Sequence, residues 1–266
     1  MGIAILGAGV MGSTLLSALV RAGHDPHGIT VSDKVAERAR EVADEHGVQA
    51  GEPGEAARAA DVLVLAVKPQ DMGGLLDEVA AEVHPGALVI SIAAGISTGY
   101  LESRLPDGVS VVRAMPNTPA LVDQGMSVLA RGRHCGVEHA ASAESLLSTV
   151  GAVATLDERH LDAVTALSGS GPAYIFYVVE AMIEAGVLLG LPRVSATELT
   201  VQTLFGAASM IRETGQHPTV LREQVSSPGG ASVTALRHLD DHKVRAAFVT
   251  AIEAAARRSG ELSAGG

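Results

Sequence analysis

Two glycine-rich stretches carry the residue types that hold anions. The first, Gly7-Ala8-Gly9-Val10-Met11-Gly12, has G-x-G-x-x-G spacing directly behind an apolar run and ahead of a helix-period segment. In that setting Gly7 permits a tight turn, Gly9 lets the backbone approach a diphosphate, and Gly12 lets helix and strand pack. The N–H groups of Ala8, Val10 and Met11 complete a turn whose helix start favours negative charge. Asp33 lies 21 residues after Gly12, at the end of the next apolar run. A carboxylate there accepts hydrogen bonds from the adenosine ribose of a dinucleotide, which favours NADH over NADPH. Lys34 beside it works the other way, as a cation for a 2′-phosphate.

The second stretch, Ser226-Ser227-Pro228-Gly229-Gly230-Ala231-Ser232, also precedes a helix-period segment. Ser227, Gly229, Gly230, Ala231 and Ser232 there bring backbone N–H groups, hydroxyls and a helix start together, a receptor for a small carboxylate. Further candidates sit at the ends of other apolar runs. Ala66-Val67-Lys68-Pro69 and Ala93-Ala94 end two of them, and Asn117 is held between Pro116 and Pro119 after a third. Ligands of open parallel sheets lie beyond such strand ends, which puts Ala66, Val67, Lys68, Pro69, Ala93, Ala94 and Asn117 beside a dinucleotide.

The elements that must position these residues read as two domains. Up to about residue 156, β-branched runs at 3–6, 29–32, 62–67, 88–92, 109–114 and 126–130, with weaker ones near Val48 and Val153, alternate with helix-period segments at 11–22, 34–46, 71–83, 98–104 and 137–150. Runs without strict alternation belong to strands covered on both faces, so the fold class is α/β, with a Rossmann-like, doubly wound, mostly parallel sheet. Residues 157–266 carry helix periods only, at 173–189, 194–214, 219–224, 231–239 and 244–262, and form an all-helical domain. The segment 173–189 is apolar nearly all round, so one copy cannot cover it and a homo-oligomer is expected. It also contains Glu180 and Glu184, which argue for a core helix over a membrane span. The tail 259–266 reads as loose.

Composition excludes other classes. A hydrophobic share of 47% with 18% charged residues is not that of a disordered chain. A formal charge of −11, no Trp, 3 Tyr and 3 Phe leave no surface for nucleic acid. The single Cys135 forms no internal disulfide, and with no leader read before the first strand the expected location is cytoplasmic. His134-Cys135 with His139, and His238 with His242, lack third and fourth ligands at familiar spacing, so no metal is expected.

Taken in order, five motifs resemble those of the pyrroline-5-carboxylate reductase family. They are Gly7-Ala8-Gly9-Val10-Met11-Gly12, Leu65-Ala66-Val67-Lys68-Pro69-Gln70, Arg113-Ala114-Met115-Pro116-Asn117-Thr118-Pro119, Leu167-Ser168-Gly169-Ser170-Gly171-Pro172-Ala173-Tyr174 and the Ser226 to Ser232 stretch. The resemblance covers nearly the whole chain. It implies a helical C-terminal dimerisation domain that interlocks with its twin, dimers that often assemble further, and reduction of the cyclic imine 1-pyrroline-5-carboxylate to proline by NADH or NADPH. It also implies that the substrate carboxylate meets the Ser-Pro-Gly-Gly loop, with Ala231 and Ser232 at the matching positions. For the reaction itself, Thr165 is the candidate hydroxyl at the ring nitrogen and Ser232 the second catalytic candidate. The chain departs from the family pattern at Asp33-Lys34, where a neutral polar residue and Arg are usual with NADPH. It departs again at Val10 for a polar residue, at Asp123 for Gly, and at Ser232 for Thr. Three rivals remain: another imine reductase, a β-hydroxyacid dehydrogenase, disfavoured because no lysine lies between Lys68 and Lys243, and a dinucleotide-sensing regulatory subunit without turnover.

Overall fold

The β-branched runs form the strands of one sheet in the computed structural model, which describes residues 1–264. In chain order they are β1 (Ile3–Leu6), β2 (Ile29–Ser32), β3 (Gln49–Ala50), β4 (Val62–Leu65), β5 (Leu88–Ser91), β6 (Ser110–Met115), β7 (Gly125–Arg131) and β8 (Gly151–Thr155). Their spatial order is β3-β2-β1-β4-β5-β6-β7-β8, with β6 and β7 antiparallel and the other neighbours parallel.

Alternate residues of each strand feed opposite faces, and both faces are covered. Ile3, Ile5, Val62 and Val64 join Leu15, Leu16 and Leu19 of the first helix in one core, while Ala4, Leu6, Leu63 and Leu65 join Met72, Leu76 and Val79 in the other. Each fully buried Val, Leu, Ile or Met side chain among them contributes about 1.5–3 kcal/mol, which is why the runs carry no polar alternation. The order reverses between β1 and β4, and that switch point places a crevice at their carboxyl ends.

Several boundaries differ from the sequence reading. β4 and β5 end one or two residues early, and the second helix starts at Ala36, leaving Lys34 in the loop. A helix at Pro53–Ala59 has no counterpart in the periodicity, because its inward residues are alanines, Ala56 and Ala57. The expected loose tail is corrected over residues 259–264: the last helix runs Val244–Ala264, and Ser259 is buried, its Oγ donating to Asp162 Oδ1 at 2.7 Å; the rest of that tail, 265–266, lies outside the described residues.

Contacts group Met1–Ser170 with the chain from Ala255 onward as one compact unit and Gly171–Ala254 as a second. The second unit is helical: Gly171–Leu188, Arg193–Thr214, Pro218–Gln224, Ala231–Asp241 and the first part of the last helix. Gly186 lets the first two helices approach, since a Cβ there would lie 3.0 Å from the Ala196 Cβ. The helix Gly171–Leu188 was expected to be a buried core helix. Within the single chain none of its residues is buried, with Phe176 65% and Tyr177 76% exposed. The stretch Glu158–Leu188 is long and apolar enough to cross a membrane by length and composition, with Glu180 and Glu184 inside it.

Asp123 explains one departure from the family pattern. It ends the 3₁₀ turn Thr118–Val122 at φ 57°, a left-handed position that suits Gly, and its carboxylate pairs with Arg21 at 2.6 Å. Asp tolerates this region and an exposed pair is worth about 0.2–1 kcal/mol. Asp123→Gly is therefore expected to stay within about 1 kcal/mol of the parent in urea denaturation, whereas the β-branched Asp123→Val should lose about 2 kcal/mol.

Candidate active site

The first glycine turn has the geometry its spacing calls for. Gly7 sits at φ 115°, and a Cβ on it would meet the Ala66 carbonyl at 2.6 Å. A Cβ on Gly12 would lie within 2 Å of the Gly7 carbonyl oxygen, so only glycine allows β1 and the helix Val10–Arg21 to pack. Gly9 is different: no protein atom lies near its missing Cβ, and the space faces outward. It caps the helix without a side-chain hydrogen bond, which leaves the first-turn N–H groups to a ligand or water. The cradle thus fits a diphosphate.

Asp33 has partners within the protein. Its Oδ2 accepts from the Ala8 N–H at 2.8 Å and its Oδ1 from the Val35 N–H at 2.9 Å, with Arg38 Nη1 at 3.4 Å. The carboxylate therefore braces the glycine turn from below while keeping lone pairs for a ligand. Leu6, Gly7, Asp33, Val67, Asp71 and Glu78 are among the residues lining a cleft of about 310 Å³ at the switch point. Lys34 reaches Asp71 at 3.7 Å across it. Ala66 extends the sheet through its N–H to the Leu6 carbonyl, and Lys68 and Pro69 follow exposed at the rim.

Some predicted contacts are spent internally. Ala93 is buried in the sheet core, so only its backbone is available at the crevice, while Ala94 is exposed. Asn117 donates from Nδ2 to the Ser168 carbonyl at 2.9 Å and accepts on Oδ1 from the Met126 N–H at 2.8 Å. Its amide is a strut between the β6 loop and the segment that carries Thr165, with one N–H left over.

That segment is a π-helical turn, Thr165–Gly169, closed by the Ser170 N–H on the Thr165 carbonyl at 2.8 Å. Such single wide turns recur at functional sites. Thr165 Oγ1 donates to the Leu161 carbonyl at 2.8 Å, so its proton is committed and it presents lone pairs. A Cβ on Gly169 would lie 2.9 Å from the Met115 Cε, so the end of the Met115 side chain would have to shift to admit one.

In the second unit, Ser227-Pro228-Gly229-Gly230 forms a turn closed by the Gly230 N–H on the Ser227 carbonyl at 3.0 Å, with Gly229 at φ 71°. Proline followed by a positive-φ glycine is the type II arrangement. The Gly230 N–H is thereby removed from the expected receptor. What remains is the start of the helix Ala231–Asp241, capped by Gly230 with no side-chain bond, together with Ser227 and Ser232. Both hydroxyls are exposed and take no partner among the described residues.

Sequence reasoning missed Glu158. Its carboxylate accepts from Thr98 N–H at 2.8 Å and from Arg113 Nη1 at 3.2 Å, contacts across 60 and 45 residues that no local motif signals. Elsewhere, burial pushes the Cys135 thiol up against a smaller opposing effect of Arg131, keeping it a poor nucleophile. Among the described residues no cluster of His, Cys, Asp and Glu has the makings of a metal site.

A mostly parallel sheet with an open glycine turn at its switch point, followed by a helical unit with a second uncapped glycine turn, defines a two-part dinucleotide-dependent oxidoreductase. Residues 158–262 match the family described as pyrroline-5-carboxylate reductase dimerisation, and residues 2–95 match the one described as NADP oxidoreductase, coenzyme F420-dependent. The pyrroline-5-carboxylate reductase of Corynebacterium melassecola is 45% identical over 264 residues, covering 98% of both chains. The solved pyrroline-5-carboxylate reductase of Coxiella burnetii is 37% identical with a TM-score of 0.92, covering 98% of each chain. The pyrroline carboxylate reductase of Plasmodium falciparum, solved with NADP bound, is 27% identical with a TM-score of 0.89, covering 99% of this chain and 98% of the other. The chain belongs to the pyrroline-5-carboxylate reductase family.

Proposed function

We propose that the protein reduces 1-pyrroline-5-carboxylate to proline with a reduced nicotinamide dinucleotide. The observation that carries this is the pair of helix starts at Gly9 and Gly230, both uncapped by side chains, in a chain that matches the family end to end. The dinucleotide supplies a hydride from its nicotinamide C4 when bound. The protein's part is to hold and orient: the Gly7 to Gly12 turn takes the diphosphate, and the start of the helix Ala231–Asp241 with Ser232 takes the substrate carboxylate. Because the Thr165 proton is spent on Leu161, Thr165 acts as an acceptor from the ring N–H. The substrate then arrives as its protonated iminium, and no general acid is required. Alignment of the reacting carbons provides the rate gain.

Asp33, Asp71 and Glu78 at the adenosine cleft, with Lys34 paired to Asp71 and Arg38 beside Asp33, favour a ribose over its 2′-phosphate. NADH is therefore the preferred donor, against the family's leaning. The exposed apolar face of the helix Gly171–Leu188, and a groove of about 240 Å³ among Tyr174, Tyr177, Phe248 and Ile252, support a homodimer as the working state. The proposed location is the cytoplasm.

The test follows oxidation of NADH and of NADPH in parallel, with and without 1-pyrroline-5-carboxylate. Imine-dependent oxidation is expected, with kcat/KM for NADH about tenfold above NADPH, equivalent to about 1.4 kcal/mol of charge repulsion. Absence of imine-dependent oxidation overturns the reaction, and a preference for NADPH overturns the cofactor reading alone. Asp33→Ser should narrow the ratio while weakening both dinucleotides, because the Ala8 N–H loses its acceptor.

A further inference from the structure

Glu158 opens a 3₁₀ turn just after β8, seven residues before Thr165. Its carboxylate ties its own segment to two others that are distant in sequence. Oε1 accepts from the Thr98 N–H at 2.8 Å and from Arg113 Nη1 at 3.2 Å, and Oε2 accepts from the Thr98 hydroxyl at 2.5 Å. Thr98 begins the short helix Thr98–Glu102, directly after the β5 loop with Ala93 and Ala94. Arg113 lies on β6, four residues before Asn117.

Thr98 is 7% and Arg113 5% exposed, while Glu158 itself is partly exposed; Arg113 Nη2 has no partner among the described residues, so Glu158 is the carboxylate that answers this buried guanidinium. A buried charge with one carboxylate partner fixes that partner's position firmly. Asn117 closes the frame from the other side through the Ser168 carbonyl of the π-helical turn. Glu158 thus ties the start of the helix Thr98–Glu102 and β6 to the segment that leads into the Thr165 turn, while Asn117 ties the β6 loop to that turn.

We infer that Glu158 is a positioning residue for hydride transfer, setting the β5 loop, the β6 loop and the Thr165 turn relative to one another through Thr98 and Arg113. This rests on the reaction proposed above. Misplacement of reacting groups by about 1 Å costs on the order of a hundredfold in rate, so a change at Glu158 should appear in the chemical step more than in binding.

The experiment uses the full-length protein and the variants Glu158→Gln, Thr98→Val and Thr98→Ser. Each is assayed for imine reduction with protio and C4-deuterated cofactor, beside dinucleotide binding by fluorescence and thermal denaturation. Glu158→Gln and Thr98→Val are expected to lower kcat by about 10- to 100-fold. The dinucleotide Kd should stay within about threefold and the deuterium isotope effect should rise as hydride transfer becomes limiting. Thr98→Ser, which keeps the hydroxyl, should restore most of kcat. A lowered melting temperature with unchanged kcat and isotope effect per folded molecule would assign Glu158 a purely structural role and overturn the inference. If Glu158→Gln does not fold, Thr98→Val against Thr98→Ser decides by the same criteria. A parent protein without imine-dependent turnover removes the proposed function itself, a result distinct from variants that match an active parent.

Discussion

Gly9→Ala is expected to fold like the parent and to bind the dinucleotide about 100-fold more weakly, while Gly12→Ala is expected not to fold to the native state. The two glycines belong to one motif but face different obstacles. At Gly12 a methyl group would lie within 2 Å of the Gly7 carbonyl oxygen, which is backbone held between β1 and the Ala66 segment. Relief requires moving the first helix off the sheet, where Leu15, Leu16 and Leu19 are buried. Overpacking of this kind costs about 1–3 kcal/mol even where side chains can yield, and here the obstacle is main chain. At Gly9 the added methyl meets no protein atom. Replacing Gly by Ala at a helix cap costs at most about 1 kcal/mol, yet the methyl occupies the space in which a diphosphate would approach the N–H groups. Circular dichroism melts together with dinucleotide titration check both. Gly9→Ala binding as tightly as the parent would remove the diphosphate from this turn.

The contrast shows how far the sequence carries. The glycine turn, the β-branched strands and the second turn at Ser227 to Gly230 were legible because each is local, set by spacing, by φ or by burial on both faces. The helix Pro53–Ala59 was not, since Ala56 and Ala57 bury too little apolar surface to make a period, and only Pro53 at its first position marks it. The dual duty of Asp33 was half legible: its place at the strand end could be read, its bond to the Ala8 N–H could not. Asn117 and Glu158 escaped in their actual roles because their partners lie far along the chain, and a carboxylate or amide carries no signal of which loop will close on it. The exposed face of the helix Gly171–Leu188 was anticipated from its all-round apolarity, although the single chain leaves it more open than a core reading allowed.

Ser232→Ala should lower kcat/KM for 1-pyrroline-5-carboxylate by about 10- to 150-fold with little change in dinucleotide affinity. The turn has few groups left to offer an incoming anion. The Gly230 N–H is committed to Ser227, and Ser226 Oγ donates to the Arg222 carbonyl at 2.6 Å, so neither serves an incoming anion. The first-turn N–H groups of the helix Ala231–Asp241 and the Ser232 hydroxyl remain. A hydrogen bond to a charged group is worth about 1.5–3 kcal/mol, which sets the size of the loss when the hydroxyl goes. Ser232→Thr keeps it and should retain most of the activity. Thr165→Val makes the complementary case: the ring N–H loses its acceptor, and the penalty should fall on kcat, because the bond matters most as the nitrogen is held for attack on the adjacent carbon. Steady-state kinetics with the imine varied at saturating NADH separates the two. Loss in KM alone at Thr165 and in kcat alone at Ser232 would reverse the assignments, and unchanged turnover in both would mean that backbone groups hold the substrate unaided.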